Sequence, residues 1–221
     1  MRYRKSLGLG LIWLVCVPTV ASASPEEPTN YEAPSGALAP APSWRAIWPV
    51  TPAKSGYPSP VAAARGFAVS LLHMRGPVLG IFSSRSATTG VVAVRYATAS
   101  YPINVHVARF TGASGWWVIS CTTSQIDITW PVALSHVTSP LTLTGRSLAF
   151  EAVVNIALYV DGRATALVRT TTMGGGTQMA PFGATLHFPT GLRRNATLVM
   201  FTTSMKDGYP VVASARRLIL Q

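Results

Sequence analysis

Cys121 and His106 are the residues with the most evident chemical potential in this chain. Cys121 closes the run Trp116-Trp-Val-Ile-Ser-Cys121, and His106 lies on the preceding apolar run, where it could be a neighbour. A thiolate stabilised by an adjacent imidazole supports acyl transfer, so the catalytic reading is a wall-acting thiol enzyme using Cys121 with His106. Against it, the residues around Cys121 carry no local pattern of a cysteine peptidase or wall transpeptidase. A lone Cys on a strand is ordinarily a small buried residue. His73, His106, His136 and His187 show no ligand spacing, so neither metal nor cofactor is expected. Gly174-Gly-Gly176 lacks the Lys-Ser/Thr and the following helix of a phosphate loop, and reads as a hairpin loop.

Glu151 is the sharpest single carboxylate. Beside Phe150 on an expected long strand, it reads as a recognition group on a basic surface or as the ion-pair partner of Arg146 or Arg169. No second carboxylate stands at acid/base spacing, which argues against a glycoside hydrolase. No catalytic residue is therefore assigned. The binding candidates are Glu151, Arg146, the pairs Arg193-Arg194 and Arg216-Arg217, and the tryptophans Trp44 and Trp48, which lie outside expected strands and could stack on sugar rings.

Charge sets the class of partner. The formal net charge is +11, and +8 once Arg2, Arg4 and Lys5 are set aside. Glu26, Glu27 and Glu32 lie early in the chain, and beyond them the acids are Asp127, Glu151, Asp161 and Asp207. Such a protein is drawn to anionic surfaces. Its cations are scattered, with two pairs only, which fits an anionic wall polymer or envelope protein better than a dedicated nucleic-acid site. Extracellular nucleic-acid binding is kept as an alternative, with the expectation of strong salt dependence.

The elements that must position these residues follow from composition and periodicity. Arg2, Arg4 and Lys5 precede an apolar run from Leu7 to Val20, and Ala21-Ser22-Ala23 supplies small residues for cleavage. Residues 1–23 read as a secretory signal removed with Cys16, which places the protein outside the cytoplasm; membrane attachment would come only through an uncleaved signal. The mature chain would then keep Cys121 and no internal disulfide. Residues 24–56 are rich in Pro, Ala and Ser and read as a linker, with Trp44, Ile47 and Trp48 as sticky residues in it.

Residues 57–124 read as a small α+β domain. Ala64, Phe67, Ala68, Leu71 and Leu72 form one helical stripe, with Ser59 as N-cap, Pro60 as the first helical residue and Gly76-Pro77 as the stop. Strands are expected over 90–97, 103–110 and 116–122, with Trp116 and Trp117 on opposite faces. Residues 125–221 read as an all-β unit of about seven strands at sandwich spacing. Alternation marks Ile126, Ile128 and Trp130, then Leu141 and Leu143, with a break at Gly145. A long strand is expected over 148–159, a hairpin turn at Asp161-Gly162, and further strands over 164–172, around Leu186, over 197–204 and over 211–220. Leu141, Leu143 and Phe150 are the expected core of the first corner. The fold class is mainly β.

Several stretches here carry a resemblance: Ile126-Asp-Ile-Thr-Trp-Pro131, Ser139-Pro-Leu-Thr-Leu-Thr-Gly145, Phe150-Glu151, Pro181-Phe182 and Lys206-Asp-Gly208. Residues 126–220 resemble the bacterial spore germination immunoglobulin-like domain. That resemblance implies an immunoglobulin-like sandwich, generally non-catalytic, in an exported envelope-associated protein. Residues 57–124 do not resemble the domain that often accompanies it in germination proteins. The reading is an exported, non-catalytic binding or scaffolding protein of the envelope, with its ligand, any role in spores and its oligomeric state left open.

Overall fold

The computed structural model describes residues 44–49, 55–97, 99–163 and 165–221. The expected signal segment and most of the expected linker lie outside the described residues, as does the side chain of Phe150.

Helix α1 (Pro60–Gly66) starts as its residue types dictate. Ser59 Oγ accepts from Ala62 N at 3.1 Å, and Pro60 takes a first-turn position where its missing N–H costs nothing. Beyond Gly66 the helix widens into a π turn over Phe67–Leu71, closed by Leu72 N donating to Phe67 O at 3.1 Å. The turn buries Phe67, Ala68, Leu71 and Leu72 together. Gly66 is there for space, because a Cβ would fall 2.3 Å from Tyr57 Oη.

Four antiparallel strands follow: β1 (Val78–Ser84), β2 (Thr89–Arg95), β3 (Ile103–Ala108) and β4 (Trp117–Thr122). Strand β1 was not expected from the sequence; Gly80 and a bulge between Leu79 and Phe82 interrupt its alternation. The remaining strands are β5 (Ile126–Trp130), β6 (His136–Val137), β7 (Leu141–Ser147), β8 (Val153–Val160), β9 (Val168–Met173), β10 (Ala180–Leu186), β11 (Arg194–Thr203) and β12 (Pro210–Leu220).

The long sheet runs β1-β2-β3-β4-β12-β11-β8-β9, with β6 parallel to the end of β12, and the short one runs β10-β7-β5. Strand β12 joins what looked like two domains. It pairs with β11 along most of its length and with β4 through Ala215–Cys121, so the sheet continues across residue 124, and the described residues fall in one compact unit. The reason is that β4, paired with β3 on one side, would otherwise present an unpaired edge on the other, and the last strand fills it.

Two cores lie on the two faces of the long sheet. Helix α1 and its π turn share a buried cluster with Val92, Val94, Ile103, Val105, Val107, Val118 and Cys121, and the cluster extends to Ala157, Val199, Ala213 and Ala215 farther along. The short sheet packs on the opposite face, where Ile126, Ile128, Leu141 and Leu143 meet Ile156, Leu158, Leu198, Met200 and Leu218. Strands β8, β11 and β12 are thus buried on both sides, and the small residues Ala157, Ala213 and Ala215 make room on the first. The result is a mainly β, immunoglobulin-like sandwich with one short helix.

Three local expectations are corrected. Gly145 does not break β7; it is buried within it, because a Cβ would lie 2.2 Å from Asp127 O and 2.5 Å from the Phe182 ring. Strand β8 begins at Val153, not near 148, because Phe150–Ala152 makes a 3₁₀ turn in which Glu151 and Ala152 take φ values of 55° and 59°. The described part of the linker is docked. Ile47 is fully buried, Ile47 N donates to Val118 O at 2.8 Å, and Trp48 Nε1 donates to Tyr57 Oη at 3.0 Å. No helix among the described residues is long and apolar enough to cross a membrane.

Candidate functional site

The Cys121–His106 pair does not form. Val105 pairs with Cys121 and His106 with Ser120, so the period of two sends thiol and imidazole to opposite faces. Cys121 is sealed against the helix-side core, where burial pushes its thiol up, and its Sγ lies 3.6 Å from Ala213 O. A buried thiol held in its protonated form is a poor nucleophile. The thiol-enzyme reading is therefore withdrawn.

Glu151 is exposed in the 3₁₀ turn rather than on a strand and makes no ion pair with Arg146 or Arg169. Arg146 donates to Met179 O at 3.2 Å, and Arg169 lies over the Tyr159 ring while donating to its hydroxyl at 3.1 Å. Gly174 and Gly175 form the other side of this turn, with Ala149 N donating to Gly175 O and Gly174 N to Ala152 O. The glycines are there because a Cβ on either would collide, on Gly174 with Ser147 Oγ and on Gly175 with Gln178 O.

The basic pairs separate. Arg193 and Arg194 are exposed, leading into β11. Arg217 is buried and donates through Nη1 to Asp161 Oδ1 at 2.6 Å, through Nη2 to Asp161 Oδ2, and through Nε to Trp44 O at 3.4 Å. It ties the docked N-terminal segment to the β8–β9 turn and is not a surface cation. Burial pushes the Asp161 carboxyl up, and the Arg217 guanidinium pulls against that. Trp44 and Trp48 are half-buried, Trp44 beneath the Arg45 guanidinium and Trp48 held by Tyr57, so neither stands as a free stacking platform.

Arg216 turns the other way. It follows Ala215 on β12 as Ser120 precedes Cys121 on β4, so both leave the helix-side core for the opposite face. There Arg216 Nη1 donates to Pro131 O at 3.0 Å, just past β5, and Ser214 Oγ donates to Ile126 O at 2.7 Å. The short sheet covers β12 at this point, while the outward residues of β2–β4 are half-buried or exposed. Strand β5 therefore stands as a step beside an open part of the long sheet.

That open face has a defined set of residues. Register aligns Ser83, Val91, His106 and Ser120 in one cross-strand row, and Ala93, Asn104 and Thr122 in the next. Arg95 shares the face because Val92 and Val94 point to the core. His106 Nε2 lies 3.0 Å from Thr122 Oγ1. Partial burial, then the charge of Arg85, holds the imidazole below its ordinary range, so it is neutral near pH 7. The arrangement offers hydrogen-bonding groups and cations on one surface, and among the described residues no group of side chains suits a metal.

Sequence reasoning singled out His106 and Arg216 but missed the face that contains them. The signal was the alternation of small polar residues with valines in β2–β4, which does not say which face stays uncovered. Comparisons with curated proteins and with solved structures find no match. A protein-family comparison does find one: residues 125–209, from just before β5 to the turn before β12, match the immunoglobulin-like domain of bacterial spore germination.

Proposed function

We propose that this protein is an exported, non-catalytic binding or scaffolding protein of the bacterial envelope, held near anionic wall polymer by its basic surface. One observation carries the reading. Among the described residues twelve arginines and lysines are exposed, against three exposed acids, Asp127, Glu151 and Asp207. That imbalance gives long-range attraction to polyanions without a dedicated catalytic site. The family match adds a module generally without catalysis, and its germination context makes a role in spores part of the reading.

The test is retention of the purified protein by intact wall sacculi, at low and high salt, with and without the anionic wall polymers stripped. The expected result is retention at low salt that falls with salt and with stripping. Retention that survives both treatments would replace the charge-based reading with a specific glycan or peptide site. No retention at low salt would overturn it.

A further inference from the structure

The exposed cations are not all equivalent. Two of them, Arg85 and Arg95, flank one floor of hydrogen-bonding groups on the open face of β2–β4. Its inner counterpart is fully covered by α1, and its outer rows are half-buried or exposed. The face has a wall, because β5 stands over β12 through the Ser214–Ile126 and Arg216–Pro131 hydrogen bonds. It has a polar floor in Asn104, His106, Ser120 and Thr122. It also has cations near both ends of β2, with Arg95 closing the strand and Arg85 in the turn before it, close enough to act on His106. No acid stands in these rows.

We infer that this face is a binding track for an anionic polyol-phosphate polymer, laid along the strands beside β5 with its phosphates at Arg85 and Arg95. The inference rests on the envelope reading above and gives it a place on the molecule. Charge complementarity selects the occupant. The six residue steps of β2 from Thr89 to Arg95 span about 20 Å at strand rise, so one small anion cannot meet both arginines while a repeating one can. Between the phosphates, polyol hydroxyls find the Asn104 amide, the Ser120 and Thr122 hydroxyls and the neutral His106, each able to exchange hydrogen bonds with them. Single-stranded nucleic acid fits less well, because the two rows offer no Phe, Tyr or Trp ring on which bases could stack. An apolar peptide fits less well again, since the apolar residues in these two rows are only Val91 and Ala93, both half-buried.

The experiment compares two charge-matched double variants of the full chain, Arg85→Gln/Arg95→Gln on the face and Arg193→Gln/Arg194→Gln away from it. The probe is poly(glycerol phosphate), with single-stranded DNA of similar charge as the second arm and sacculi retention measured in parallel. All four arginines are exposed, and unchanged circular dichroism and melting midpoint would show that both variants remain folded. The expected result is a loss of affinity for poly(glycerol phosphate) of at least about tenfold in the face variant, as for two lost hydrogen bonds between charged groups, and within about threefold in the other. Equal losses in the two variants would overturn the track and leave the diffuse attraction standing. Sacculi retention without any affinity for poly(glycerol phosphate) would likewise overturn the track while sparing the envelope reading. Tighter binding of the DNA, lost in the face variant, would overturn the choice of polymer.

Discussion

Strands β8, β11 and β12 are buried on both faces, whereas β2, β3 and β4 of the same sheet are buried on one. The doubly covered half reads as near-continuous apolar sequence, Ala196 to Met200 for instance, and its one buried charge, Arg217, is matched to Asp161. The singly covered half alternates, with Val92, Val94, Val105 and Val107 inward and Ala93, Asn104 and His106 outward. Where two layers pack on the ladder every residue is constrained by neighbours, and where one packs on it the outer rows are half-buried or exposed.

The largest expected break in this comparison comes from the doubly covered half. Arg217→Ala removes one partner of a buried pair and leaves Asp161 uncompensated, and it should cost about 3–5 kcal/mol in urea unfolding. Leu198→Ala, fully buried in the same strands, should cost about 2–5 kcal/mol by leaving a cavity. A cost under about 1 kcal/mol for both would mean that this half is not the rigid one.

A smaller effect is expected from His106 on the open half. Its folded pKa is depressed, so the unfolded chain binds the proton more readily. The resulting stability is fully present above the unfolded value of about 6.5, and it declines as pH falls from there through the folded pKa. Unfolding midpoints measured from pH 8 to pH 5 should fall less steeply in His106→Gln than in the parent protein. Parallel curves would show that the imidazole is no more shielded in the fold than in the unfolded chain.

The smallest effect sharpens the comparison. Asn104→Ser changes an outward, half-buried group and should shift stability by no more than about 0.5 kcal/mol. A loss comparable to that of Leu198→Ala would mean that the outer rows are packed after all.

Much of the local structure was readable from residue types. Ser59-Pro60 announces the helix start, Asp161-Gly162 and Asp207-Gly208 supply the positive φ their turns need at Gly162 (80°) and Gly208 (73°), and alternation marks β5 and β7. The site was less readable. Arg216 and Arg217 look identical as a basic pair, yet adjacent strand residues face opposite ways, and only the layers packed on β12 decide that Arg217 is buried. Cys121 and His106 sit on neighbouring strands, but their registers with β3 and β4 part them. Glu151 reads as a strand residue until the left-handed turn at 151–152 removes it from the ladder.

By itself, then, the sequence determined most of the helix, strand and turn segments, though not β1 or the turn at 150–152, together with the family resemblance of the last 95 or so residues and the excess of positive charge. These are properties of short windows and of composition. The tertiary structure decided that the two halves share one sheet, that the Trp44–Trp48 stretch is docked, and that the outer face of β2–β4 is open. The reason is that strand period divides each segment into two faces without saying which will be covered. That choice follows from pairings between distant segments, above all β12 with β4, and from where the short sheet stops at β5.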